Sequence, residues 1–143
     1  MRSIYRLLPI LLLGCSQSRP EKKEMPVIKS DAPVANTVVA SDSMRIPDNL
    51  NELYFSIEVI AGPQSNKGVY EVLVNYGHND ASGQVIMPEA ETLIIPEVKR
   101  DTQRFAYIIG FHYGSDTSFK DYFLVKADKG QTEMKYLKAY SFK

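Results

Sequence analysis

Arg104-Phe105-Ala106-Tyr107-Ile108-Ile109-Gly110-Phe111-His112-Tyr113 is the stretch that decides the fold class. Phe105, Tyr107, Ile109, Phe111 and Tyr113 alternate with Arg104, Ala106, Ile108, Gly110 and His112. In an extended chain successive side chains point to opposite faces, so period-two spacing of aromatic and β-branched residues marks a half-buried strand.

The same alternation recurs on either side. Leu53, Phe55, Ile57 and Val59 alternate with Tyr54, Ser56, Glu58 and Ile60, and Tyr70, Val72, Val74 and Tyr76 with Val69, Glu71, Leu73 and Asn75. Phe119–Lys126 and Met134–Phe142 read as further strands, Gln84–Met87 and Thr92–Ile95 as shorter ones. Between them 62–68, 77–83, 114–118 and 128–131 carry the Gly, Pro, Asn, Asp and Ser of loops. No stretch has helical periodicity beyond one turn at Pro88–Thr92. The expectation is all-β: a small antiparallel β-sandwich or barrel of about seven strands.

Composition changes near residue 50. Between Ser16 and Leu53 there is no aromatic residue and no Gly, but Pro20, Pro26, Pro33 and Pro47. Such a segment buries too little apolar surface to offset ordering, so it reads as a disordered, extended stalk. Its one apolar patch, Val34–Ala40, suits either an edge strand or plain linker and is read here as linker. The expected domains are therefore a signal peptide at 1–14, a lipidated Cys and flexible linker at 15–49, and a β-sandwich at 50–143. A chain beginning at Asp48 is expected to fold alone.

The first residues carry Arg2 and Arg6, then Leu7-Leu8-Pro9-Ile10-Leu11-Leu12-Leu13, then Gly14-Cys15. A basic start, a short apolar run and a small residue form a secretory signal. The run is far below the ~20 residues a membrane-spanning helix needs. Leu12-Leu13-Gly14-Cys15 resembles the lipobox of bacterial lipoproteins. The resemblance implies cleavage before Cys15, lipid on its sulfur and acylation of the new amino terminus. Several acyl chains on one residue anchor firmly where a single chain binds only marginally. Ser16, rather than Asp, follows the cysteine, which by the same resemblance implies the outer membrane. Whether the domain faces the periplasm or the cell surface stays open.

The lone cysteine permits no internal disulfide, so the core holds the fold. Formal net charge is zero, and losing Arg2 and Arg6 with the signal leaves the remainder slightly acidic. That balance argues against nucleic acid. There is no Gly-x-Ser-x-Gly elbow, P-loop or GxGxxG. His112 reads as a surface or rim residue, and His78 as a turn residue in a loop with Asn79 and Asp80. Nothing in the sequence assembles the convergent ligands zinc requires, so neither metal nor cofactor is expected. Glu58 and Glu71 lie on polar strand faces, where solvated charge is the default. The basic stretch from Phe119 onward suits an anionic envelope surface, but lysines on an outer strand more often discourage edge-to-edge pairing.

These readings lead to a non-enzymatic, lipid-anchored envelope protein, a structural or interaction component of an outer-membrane-associated assembly. Its partners are the membrane, through acyl chains on Cys15, and another envelope protein. Loops 62–68, 77–83 and 114–118 are the expected contact elements, with His78, Asn79, Ser115, Asp116 and Thr117 as candidate contacts. One alternative is a small-ligand or glycan-binding lipoprotein, which needs tyrosines such as Tyr113 and Tyr122 to line an open cleft. Another is an inhibitor of an envelope hydrolase such as lysozyme, pushing the polar loop 114–118 into an active site.

Overall fold

A computed structural model describes residues 32–47 and 50–142. The signal segment 1–14, the Cys15 lipidation site and the linker as far as residue 31 lie outside the described residues. The strands are β1 (Val38–Arg45), β2 (Tyr54–Ala61), β3 (Val69–Tyr76), β4 (Asn79–Ile86), β5 (Glu97–Asp101), β6 (Ala106–Tyr113), β7 (Asp116–Asp128) and β8 (Gln131–Tyr136). Sheet A has the order β1-β2-β3-β4 and sheet B the order β5-β6-β7-β8. All pairs are antiparallel. The expected all-β sandwich is what forms.

The alternation becomes burial directly. Phe55, Ile57, Val59 and Ala61 of β2 and Tyr70, Val72 and Val74 of β3 meet Tyr107, Ile109 and Phe111 of β6 in one core. Each fully buried aliphatic or aromatic side chain contributes about 1.5–3 kcal/mol. Meanders need only tight hairpins. Gly77-His78 joins β3 to β4, Gly114-Ser115 joins β6 to β7, and Lys129-Gly130 joins β7 to β8. Gly77, Gly114 and both residues of the last turn take the positive φ such hairpins require.

Several expectations change. Among the described residues the strands number eight, and two of them lie outside the expected set: β1, inside the stretch read as linker to residue 49, and β5. β1 pairs with β2 along its length, and Met44 and Ile46 enter the core. The sandwich thus begins before residue 38, and a chain starting at Asp48 lacks an edge strand and two core residues. Thr92–Ile95 is not a strand. It belongs to the connection 87–96, whose Met87, Ile94 and Pro96 are buried; Pro88 and Pro96 each lack the N–H a ladder needs. Finally, β8 stops at Tyr136, and Tyr140 and Phe142 turn back onto Phe111, with ring centroids 5.2 and 5.9 Å away. Residues 79–83 and 116–118, read as loop, extend β4 and β7.

The hairpins give the sandwich two distinct ends. At the near end lie residues 32–37, loop 62–68, connection 87–96, the Gly114-Ser115 turn and the C-terminal tail. At the far end lie residues 46–47 and 50–53 and the turns at 77–78, 102–105 and 129–130. Two tyrosines of sheet B bolt the layers together. The Tyr107 hydroxyl donates to the Phe55 carbonyl (2.7 Å) and the Tyr122 hydroxyl to the Ile86 carbonyl (2.9 Å). Burial, helped by the nearby Asp42 carboxylate, pushes the Tyr107 hydroxyl pKa up to about 12. Along one side seam Arg100 of β5 grips Asp42 of β1 with two short bonds, 2.5 and 2.6 Å.

Candidate functional site

The register of sheet A fixes what its outer face presents. Ser43, Ser56, Asn75 and Asp80 lie in one row across the strands, and Ser41, Glu58, Leu73 and Ser82 in the next. Ile60, Glu71 and Gln84 continue it. Most of these side chains are short, so the face is a shallow floor. Ser56, Glu58, Leu73, Asn75, Asp80 and Ser82 line an open groove of about 500 Å³ on it. Asn75 donates to the Asp80 carboxylate. Leu73 remains 41% exposed at its centre. Neither Glu58 nor Glu71 meets a cation among the described residues, and Arg45 at the far corner is directed to Glu52 (3.8 Å). From Ala32 to Met87 the described acids are Asp42, Glu52, Glu58, Glu71 and Asp80, against only Arg45 and Lys67.

The outer face of sheet B is tied to itself. Lys99 meets Asp121 (3.2 Å), His112 meets Glu97 (2.8 Å), and Lys126 meets Glu133 (3.2 Å). Phe119 lies across Gly110, and the Lys99 ammonium sits 4.6 Å from the Phe119 ring centre. Beneath this cover Ala106, Ile108 and Leu124 are buried although they face away from the main core. The expected rim histidine is confirmed: His112 is exposed.

The candidate contacts do not converge. His78 and Asn79 sit at the far end, where the Asn79 amide donates to the Gly130 carbonyl (3.0 Å). Ser115, Asp116 and Thr117 sit at the near end. Asp116 accepts from Lys120 (2.6 Å) and from the Ser118 hydroxyl (2.6 Å) and N–H (2.8 Å). The Lys120 bond, then those from Ser118, hold its carboxyl well below the usual range. The expected loop 114–118 is a two-residue turn with β7 starting at Asp116, so it offers no long protrusion for an active site. Loop 62–68 is folded down by a short 3-10 turn, Ser65–Lys67, with the buried Ser65 hydroxyl donating to the Pro33 carbonyl (3.1 Å).

The tyrosines required to line a cleft face the core instead. Tyr122 is buried, and Tyr113 packs against Phe142 with centroids 4.1 Å apart. The groove on sheet A was missed because its residues are the polar half of each alternation, which reads as ordinary solvated surface. Only the cross-strand register places Ser56, Asn75 and Asp80 side by side. Among the described residues no three His, Cys, Asp or Glu side chains group to hold a metal ion. No helix there is long and apolar enough to cross a membrane. No family model, characterised protein or solved structure matches this chain.

Proposed function

We propose that this chain is a non-enzymatic, lipid-anchored component of the bacterial outer membrane that engages another envelope protein through the outer face of sheet A. The anchor rests on the resemblance of Leu12-Leu13-Gly14-Cys15 to a lipobox. One observation carries the docking face: sheet A exposes carboxylates, hydroxyls, an amide and Leu73 with few internal ties, while sheet B spends its charges on itself. Polar groups left free around an exposed apolar centre suit a non-obligate interface, which mixes an apolar middle with a polar rim.

The test is in-cell photocrosslinking with a reactive residue at Leu73 or, for comparison, at Lys99. One discrete adduct to an envelope protein from Leu73, absent from Lys99, is expected. Equal labelling from both faces, or none, would overturn the docking assignment. Cys15→Ala should release the chain from the membrane fraction, and retention there would remove the lipid anchor. The groove also carries a second reading, a glycan-binding lipoprotein, because Ser, Asn and carboxylate groups beside an aliphatic side chain suit saccharide hydroxyls. Saturable binding of envelope glycans abolished by Asn75→Ala would favour it.

A further inference from the structure

We propose that the free edge of β8 pairs with β8 of a second copy of this chain, in one antiparallel register about a two-fold axis at Met134. β8 ends the order of sheet B. Its ladder with β7 runs without a bulge from Asp128↔Gln131 to Phe123↔Tyr136. Of the other three edges, β4 has Met134 of β8 packed over its Gly83, and two are blunted. β1 is irregular between Val38 and Ala40 and is gripped by Arg100 at Asp42, and β5 is short and follows Pro96. β8 has no bulge, clamp or preceding proline, and edges of this kind template further strands.

The register follows from backbone phase and charge together. The Leu137 N–H donates to the Tyr122 carbonyl (2.9 Å). By the alternation of an antiparallel ladder, Lys135, Glu133 and Gln131 also bond toward β7, so Thr132, Met134 and Tyr136 turn their N–H and C=O to the free edge. An axis at Met134 sets Met134 against its own copy and Thr132 against Tyr136 of the second copy. Each free group then meets a free group. In the same register Glu133 lies directly opposite Lys135 of the second copy, twice by symmetry. An axis at Glu133 would oppose two carboxylates, and one at Lys135 two ammonium groups, and like charges directly opposite are destabilising.

Side chains agree with this occupant. Tyr136 is 50% exposed, and Met134 and Leu137 stay more than a third exposed on the edge the pairing covers. Met134 reaches over Gly83 of β4 and lines, with Val72, Val74, Val125 and Thr132, a groove of about 120 Å³ between the two edges. Glu133 already meets Lys126 of its own chain (3.2 Å), so pairing extends that contact into a Lys126–Glu133–Lys135 chain of alternating sign. Lys135, which from sequence alone reads as a guard against edge pairing, becomes the residue that selects its register. A self-complementary patch closes as a two-fold dimer and leaves no further β8 edge to propagate.

Sedimentation velocity on the full chain in detergent tests this directly. A concentration-dependent dimer is expected. Glu133→Lys, and separately Lys135→Glu, should each raise the dimer dissociation constant about tenfold or more, and the double exchange should restore it. A monomer up to about 0.1 mM, or a dimer indifferent to all three variants, overturns the proposal. In a Cys15→Ser background, Met134→Cys should form an interchain disulfide. The facing Cα atoms of a hydrogen-bonded antiparallel pair lie about 5.5 Å apart, within disulfide reach. Thr117→Cys, at the near end, should not, and equal crosslinking of both, or of neither, would count against the register. None of these outcomes depends on the outer face of sheet A.

Discussion

The two outer faces of this sandwich are built from similar alternating strands and end in opposite states. Sheet A keeps an inner face of Phe55, Ile57, Val59, Tyr70, Val72 and Val74, and gives its outer face to short polar residues around Leu73. Sheet B is apolar on both sides of β6, where every residue from Ala106 to Phe111 is buried. Its outer layer needs a lid, and Phe119, Lys99 and their ion pairs supply one. Substitution on sheet B should therefore act on stability, and substitution on sheet A on what the surface binds.

Gly110→Ala is the harshest test. A Cβ there would overlap the Lys120 carbonyl oxygen and come within 2.5 Å of the Phe119 ring. Overpacking against backbone should cost about 3 kcal/mol or more in urea unfolding followed by circular dichroism. A cost below about 1 kcal/mol would mean that the lid is loose. Phe119→Ala removes the lid itself, and we expect a loss of about 2 kcal/mol as Ile108 and Leu124 become exposed.

Next come the buried hydroxyls, which should respond with opposite sign. Tyr107→Phe deletes a satisfied bond from sheet B to sheet A and should cost about 1.5 kcal/mol. Tyr70→Phe deletes a buried hydroxyl that has no partner in sheet A, whose pKa burial raises. It should leave stability unchanged or improve it by about 1 kcal/mol. Finding both variants equally destabilised would show that Tyr70 has a partner in solution.

Acid should act through the carboxylates tied to sheet B. Hydrogen bonds from Arg100 to Asp42, from Arg104 to Asp101 and from Lys120 to Asp116 hold all three below their ordinary values. Each contribution is therefore fully present above the unfolded pKa of about 4 and lost as pH falls through the lower folded value. The urea midpoint should decline below about pH 4, less steeply in Asp42→Asn, and a midpoint that rises on acidification would contradict this. The smallest effect belongs to sheet A. Leu73→Ser should change stability by less than about 0.5 kcal/mol while abolishing the partner adduct formed from a reactive residue at the neighbouring Ser82. A large loss of stability would show that its face is structural after all.

Strands with strong alternation were legible from the sequence, and strands at the edges were not. β2 and β3 bury every second side chain, and β6 buries its alternating aromatic row beneath the core and its small aliphatic row beneath the lid, so their pattern is their structure. β1 and β5 bury little: in β1 only Met44 is fully buried, and in β5 Val98 is the sole aliphatic residue. Val-Val-Ala-Ser-Asp-Ser-Met-Arg and Glu-Val-Lys-Arg-Asp therefore look like linker until a neighbouring strand supplies their hydrogen bonds. Thr92–Ile95 misleads in the opposite direction, since an apolar run that caps the end of a core resembles one that crosses it. Loop composition points to the candidate contacts, and the two-residue turns leave those loops little to offer. Leu73, Asn75 and Asp80 become a surface only when register sets the strands side by side.

The place where the chain joins the sandwich has a mechanical consequence. Anything attached ahead of Ala32 reaches the domain through β1, an edge strand of sheet A with a single buried side chain, Met44. Its ladder to β2 and the Arg100–Asp42 clamp stand between that attachment and the aromatic interior. Tension on the N-terminus would thus load a replaceable edge first. β1 would act as a fuse, yielding while Tyr107 and Tyr122 still hold the two layers together.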